Sequence, residues 1–187
     1  MSIAGSAHLE KGKPCQDAHV CRTLPGGFVL ATVADGVGSA AHSEIASRMA
    51  CDVLAESCEA LLTPDTEITA APEILLEGYR RAETRIREYA KEAGHAVTEY
   101  DTTLSAVIFD GETAAFGHSG DGGIAALTRT GDYIKLTEPQ KADDGYCVIP
   151  LRAGEAHWEF GICGEALSGV LLATDGVYDA LAPYLLR

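Results

Sequence analysis

Nowhere in this 187-residue chain does an apolar run approach the roughly 20 residues that a membrane-spanning helix requires, and no signal-peptide pattern opens it. Cysteine is present six times, yet Cys15, Cys21, Cys51, Cys58, Cys147 and Cys163 form no Cys-x-x-Cys pair and no zinc-like spacing. We therefore expect a cytoplasmic, reducing setting with free thiols, and Cys51 and Cys58, at helical spacing, in or near the core. Positive charge is scarce. With 14 Lys and Arg against 28 Asp and Glu, the net charge is −14, which argues against nucleic acid or an anionic membrane as partner and against a nuclease. Internal repeats and linkers are also lacking, so a single domain over residues 1–187 is expected.

What is present centres on Ala34-Asp35-Gly36-Val37-Gly38. The run before it, Phe28–Ala34, is too continuously apolar to alternate and reads as a strand buried on both faces, which puts Asp35 at the end of a core strand. A carboxylate there is costly unless something positive meets it. An Asp-Gly pair is also a common turn, and alone it would mean no more than that. Gly169–Thr174, however, is a second apolar strand delivering Asp175-Gly176. Two such strands suggest two carboxylates aimed at one cation.

Upstream, Ala18–Thr23 reads as a strand joined to Phe28–Ala34 by the turn Pro25-Gly26-Gly27, a hairpin that returns Asp17 to the end where Asp35 lies. Downstream, Ser43 is a plausible N-cap for a helix whose face is Ile45, Met49, Val53, Leu54, Cys58 and Leu61. A second helix is expected from near Pro72 to Gly94, with Leu75, Tyr79, Ala82, Ile86, Tyr89 and Ala93 on its apolar stripe and Glu77/Arg81 and Glu83/Arg87 on its wet face. Thr103–Phe109, Ala114–His118, Ile124–Thr128 and Tyr133–Leu136 read as an antiparallel meander. Tyr146–Leu151 and Ala156–Phe160, which holds the single tryptophan, Trp158, read as two more strands, and a short helix opens at Asp175. The order gives an α+β domain with sheet packed on sheet and helices outside.

Taken together, Gly12-Lys13-Pro14-Cys15-Gln16-Asp17-Ala18, Val33-Ala34-Asp35-Gly36-Val37-Gly38, Asp101-Thr102-Thr103-Leu104, Gly117-His118-Ser119-Gly120-Asp121-Gly122 and Leu172-Ala173-Thr174-Asp175-Gly176-Val177-Tyr178-Asp179 resemble, in order and spacing, the motifs of the type-2C metal-dependent serine/threonine protein phosphatases (PPM), bacterial type. The resemblance implies a four-layer α-β-β-α sandwich, two antiparallel sheets flanked by helices. It implies a centre of two Mn²⁺ or Mg²⁺ ions, with a third in many members, and hydrolysis of phosphoserine or phosphothreonine by a metal-activated water. Asp35 then corresponds to the bridging carboxylate, Gly36 to the carbonyl ligand, Asp175 to the second aspartate ligand, Asp17 to the group holding metal-bound water, and Asp121 to the third-ion position. Oxygen donors without His or Cys suit these hard ions. A phosphoprotein substrate and a cognate Ser/Thr kinase are the implied partners.

Three positions depart from that pattern. Gly12 stands where relatives often carry a phosphate-gripping arginine, leaving Lys11 and Lys13 as candidates for that role. Val37 replaces a histidine proposed as general acid, leaving His42 and His118 as candidates. The family's closing Asp-Asn motif is missing before Arg187. The chain is therefore expected to be C-terminally incomplete or to lack one ligand and bind metal weakly. The alternative function is a pseudophosphatase, a phosphoprotein- or kinase-binding regulatory module. A last strand with an open edge also leaves room for an oligomer.

Overall fold

Pro25, Gly26 and Gly27 turn the chain through a short 3-10 segment in which Gly26 and Gly27 take φ of 79° and 81°, a left-handed region that side chains resist. The strands they join, β1 (Asp17–Thr23) and β2 (Val29–Asp35), pair antiparallel in unbroken register, from Thr23 opposite Val29 to Asp17 opposite Asp35. The computed structural model describes residues 2, 12, 14–143 and 145–185, with side chains as far as residue 181. Lys11 and Lys13 lie outside the described residues. β2 is not buried on both faces as its composition suggests. Leu30, Thr32 and Ala34 are fully buried, while Ala31, Val33 and Asp35 on the other face are half-buried and Val29 is exposed.

Helix α1 (Ser43–Leu61) follows, and its N-cap is His42 rather than Ser43, which is the first helical residue and is buried. Its inner face is also rotated from the expected stripe. Ala46, Ala50, Cys51, Leu54, Ala55 and Cys58 are buried, whereas Ile45, Met49 and Val53 are half-buried and Leu61 is exposed. The small residues let α1 approach both the sheet and α2 (Ala71–Ala93) closely. α2 begins at the expected proline and ends on Gly94 at φ 75°. Its buried stripe is Leu75, Gly78, Tyr79, Ala82, Ile86 and Ala90; Tyr89 is half-buried and Ala93 exposed. The expected pairs Glu77–Arg81, at 2.8 Å, and Glu83–Arg87 lie on its outer face.

The expected meander is two sheets. β3 (Leu104–Phe109), β4 (Ala114–Ser119) and β7 (Glu159–Ile162) extend the hairpin into a five-stranded antiparallel sheet, β1-β2-β3-β4-β7. After β4 the chain crosses into a second sheet, β6-β5-β8, made by β5 (Gly123–Thr128), β6 (Tyr133–Lys135) and β8 (Leu167–Ala173). Tyr146–Leu151 is not a strand: it is bends with one isolated bridge, Lys141 to Val148, then a 3-10 turn at Leu151–Ala153. Likewise Glu155–His157 is a 3-10 turn, and pairing begins only at Glu159. Trp158 precedes that strand half-buried, its indole N–H donating to the Leu151 carbonyl at 2.9 Å.

Two cores result. One lies between α1, α2 and the five-stranded sheet, around Leu30, Leu54, Leu75, Tyr79, Leu104 and Ile108; the other lies between the sheets, around Val107, Phe116, Ile124, Ala126 and Leu167. Helix α3 (Asp175–Leu185) leaves the end of β8, with the Tyr178 ring against Gly123. Among the described residues, β8 pairs only with β5, and no helix is long and apolar enough to cross a membrane. Cys51 and Cys58 are buried as expected, and burial pushes both thiols up to about 12.

Tyr79 ties the first core together. It is fully buried, its hydroxyl donates to the Leu104 carbonyl at 2.8 Å, and its ring meets Phe160 and Trp158 edge-on. Tyr79→Phe keeps the ring and removes the donor, so the expected cost is about 1–2 kcal/mol. A calorimetric scan should show Tm lower by roughly 2–8 °C, the scaling for a chain of this size.

Candidate metal centre

The hairpin register sets Asp17 and Asp35 directly opposite each other at one end of the five-stranded sheet. The turn after Asp35 is fastened from both sides. Gly36 N–H donates to the Gln16 carbonyl at 3.0 Å, and Val37 N–H to the Asp101 carbonyl at 3.0 Å. The Asp35 amide donates to Thr103 Oγ1 at 2.8 Å, while its carbonyl accepts from Thr103 N–H at 2.8 Å and Thr102 Oγ1 at 2.9 Å. The Gly36 carbonyl takes part in none of these bonds. Any side chain at Gly36 would put its Cβ 2.7 Å from Ser43 Cβ and 2.8 Å from the Ser43 carbonyl oxygen, so only glycine lets the turn sit against the start of α1. Behind it, Arg152 grips the Asp101 carboxylate with a two-pronged pair at 2.5 and 2.7 Å.

β8 brings Asp175 to the same end of the molecule. The Asp35 carboxyl is in hydrogen-bonding contact with both Asp17 and Asp175, and its pKa is raised to about 8, first by burial and then by the charges of Asp17 and Asp175. The sheet register that pairs Gly123 with Ala173 carries Asp121 beside Asp175; burial, then the Asp175 charge, raises the Asp121 carboxyl above its usual range. The Gly120 that precedes Asp121 has φ 121°, which fits a turn closing at this point. Among the described residues no three of these four aspartates have ligand atoms all within 4.8 Å of one another, so Asp17 and Asp175 flank Asp35 without meeting. Asp35 is thus the middle of a row, with the Asp17 carboxyl on one side and the Asp175 carboxyl on the other.

Such a row of carboxyls is unfavourable without positive charge, because one member must keep its proton near neutral pH. The donor set is oxygen only. Both observations fit hard divalent ions, with Asp35, Asp175, Asp17 and Asp121 and the Gly36 carbonyl as the residues able to hold them. A cleft of about 350 Å³ adjoins the row between β1 and β8, with Asp17, His19, Val33, Leu172, Thr174 and Val177 in its lining.

The two histidines named as proton donors are held by other partners. His118 is fully buried between the sheets, its Nδ1 within 2.8 Å of Ser105 Oγ, and burial lowers it to about 4. His42 sits at the N-cap of α1, stacked on His95 with ring centres 4.6 Å apart. Lys11 and Lys13 fall outside the described residues. The fastening residues Gln16, Thr102, Thr103 and the Asp101–Arg152 pair received no role from sequence. Asp101-Thr102-Thr103 was visible as a motif, whereas nothing in the sequence marks Arg152.

This is an α+β sandwich with an acidic row at one end of its sheets. The chain belongs to the protein phosphatase 2C family, whose model matches residues 4–185. No curated protein sequence matches it. Solved structures of similar fold include the serine/threonine phosphatase Stp1 from Staphylococcus aureus, 16% identical with a TM-score of 0.72, over 96% of this chain and 76% of that one. The Mycobacterium tuberculosis serine/threonine phosphatase PstP/Ppp is 18% identical with a TM-score of 0.71, over 99% and 79%. The catalytic domain of PstP in complex with two manganese ions is 20% identical with a TM-score of 0.68, over 95% and 75%.

Proposed function

We propose that this protein is a metal-dependent phosphatase acting on phosphoserine and phosphothreonine in proteins. The observation that carries the reading is the Asp35 carboxyl with Asp17 on one side and Asp175 on the other, its proton retained to about 8. Asp35, Asp175 and the Gly36 carbonyl would hold two Mn²⁺ or Mg²⁺ ions, Asp121 would help hold a third, and Asp17 would hold metal-bound water. Such ions supply neutralisation of phosphoryl oxygens and a water acidic enough to attack at neutral pH.

The chain's own contribution is position. Asp35, the carboxyl between Asp17 and Asp175, would give up its proton to serve as an anionic ligand there. Thr102, Thr103 and Gln16 fix the backbone around it in advance, so little reorganisation is needed during reaction. Asp17, opposite Asp35 and on the wall of the cleft, orients the attacking water. No covalent nucleophile is required of the buried thiols. The implied partner is the product of a Ser/Thr kinase.

The test is release of phosphate from phosphoserine and phosphothreonine peptides with Mn²⁺, with Mg²⁺ and with EDTA. Turnover with either ion that EDTA abolishes is expected. Tight phosphopeptide binding without turnover under saturating Mn²⁺ would replace this reading with that of a regulatory binding module.

A further inference from the structure

A second cluster of ligand atoms lies outside the aspartate row. His42, His95 and Glu99 each offer one ligand atom, and these atoms lie within 4.8 Å of one another. The cluster joins the N-cap of α1 to the segment leaving α2: His95 follows the Gly94 cap, and Glu99 lies in the 3-10 turn Val97–Tyr100.

His95 and Glu99 are each oriented by a bond that leaves a ligand atom over. His95 Nδ1 shares a 2.9 Å hydrogen bond with the Tyr100 hydroxyl, whose ring is buried, so Nε2 is the atom left to bind. Glu99 Oε1 accepts from the Ala96 N–H at 3.0 Å, while Oε2 faces His42 Nε2 at 3.8 Å. The His42 backbone N–H donates to the Glu99 carbonyl at 2.8 Å, which holds the α1 end of the cluster against the other. A histidine whose second nitrogen is hydrogen-bonded is the usual form of a metal-binding histidine.

We propose that His42, His95 and Glu99 form a site for a borderline transition-metal ion of the Zn²⁺ class, separate from the aspartate row and independent of the phosphatase reading. Two imidazoles and one carboxylate are the donors such an ion prefers, while Mg²⁺ prefers the all-oxygen row, so ligand chemistry sorts the two sites. The imidazole planes are parallel within 9° at 4.6 Å, so their in-plane lone pairs lie in parallel planes. A turn of the His42 ring, which has only the 3.8 Å approach to Glu99 to lose besides its stacking, brings the nitrogens to converge. The bound ion would clamp the start of α1 to the end of α2, and solvent would complete its coordination.

The experiment is calorimetric titration of Zn²⁺ into the full chain in saturating Mg²⁺, repeated with His95→Ala, Glu99→Gln, Tyr100→Phe and Asp35→Asn. One Zn²⁺ is expected in the wild type and in Asp35→Asn. Affinity should fall at least about tenfold in His95→Ala and Glu99→Gln, and about 10- to 100-fold in Tyr100→Phe, the usual effect of removing an orienting partner. Glu99→Gln keeps the carbonyl that accepts from Ala96, so it answers the question if His95→Ala does not fold. Equal Zn²⁺ binding in wild type and both ligand variants would overturn the proposal. So would Zn²⁺ binding that Asp35→Asn alone removes, or none at all in the wild type. None of these readouts depends on turnover.

Discussion

Asp35→Asn is expected to lose at least about a hundredfold in Mn²⁺-dependent phosphopeptide hydrolysis while remaining folded. The carboxylate in the middle of the row is the one group in contact with both Asp17 and Asp175, so it is the one that two cations would share. An amide offers one neutral oxygen in place of two anionic ones. Losing several kcal/mol of the charge stabilisation that such a centre supplies to the transition state corresponds to a factor of a hundred or more in rate. The fold should survive because the amide N–H groups can donate to the neighbouring carboxylates as the protonated Asp35 does. The backbone bonds of Asp35 to Thr102 and Thr103 do not involve its side chain at all. Circular dichroism and phosphate release on the same preparation separate the two effects. A variant that kept turnover within tenfold of the wild type would remove Asp35 from the centre and the proposed function with it.

How far this site could be read without coordinates depends on the residue. The Asp17–Asp35 juxtaposition was legible because Pro25-Gly26-Gly27 fixes a hairpin, and register then does the rest. Asp175 was legible as a repeat of the Asp-Gly strand ending. The switch between sheets was not, because Gly120-Asp121-Gly122-Gly123 has the composition of a hairpin turn whether the next strand pairs back or crosses over. Tyr146–Leu151 carries apolar residues but has no strand to pair with, and Tyr146 is 90% exposed. Three-to-four spacing marks Ile45, Met49, Val53, Leu54, Cys58 and Leu61 as the inner face of α1, of which Leu54 and Cys58 are buried. Where two helices and a sheet meet closely, the other fully buried positions go to the small Ala46, Ala50, Cys51 and Ala55, and the larger Ile45, Met49 and Val53 are left half-buried. The His42–His95–Glu99 cluster gave no sequence signal, since its members belong to a helix cap, the residue after a helix and a 3-10 turn that only tertiary packing unites.

The same row of carboxyls predicts how metal-free protein responds to pH. In the unfolded chain Asp35 titrates near 3.9; in the folded protein it titrates at about 8, raised by burial and by Asp17 and Asp175. Between those values the folded state holds a proton that the unfolded state has released, so stability falls as pH rises. The contribution is whole below about pH 4 and is lost progressively until pH passes the folded value. Each pH unit in that window is worth at most about 1.4 kcal/mol, and with the carboxyl only half-buried the loss from pH 5 to pH 7.5 should be about 2–3 kcal/mol. Urea unfolding of EDTA-treated protein should therefore give a falling midpoint over that range. Asp35→Asn, which has no proton to lose, should be flatter by about that amount, and the difference between the two curves cancels the titrating groups that lie away from the row. Saturating Mn²⁺ should raise the wild-type midpoint most at the alkaline end, because the ion replaces the proton in neutralising the row and binds more tightly as that proton becomes easier to remove. Parallel wild-type and Asp35→Asn curves in EDTA would mean that the three carboxyls do not share their charge in solution.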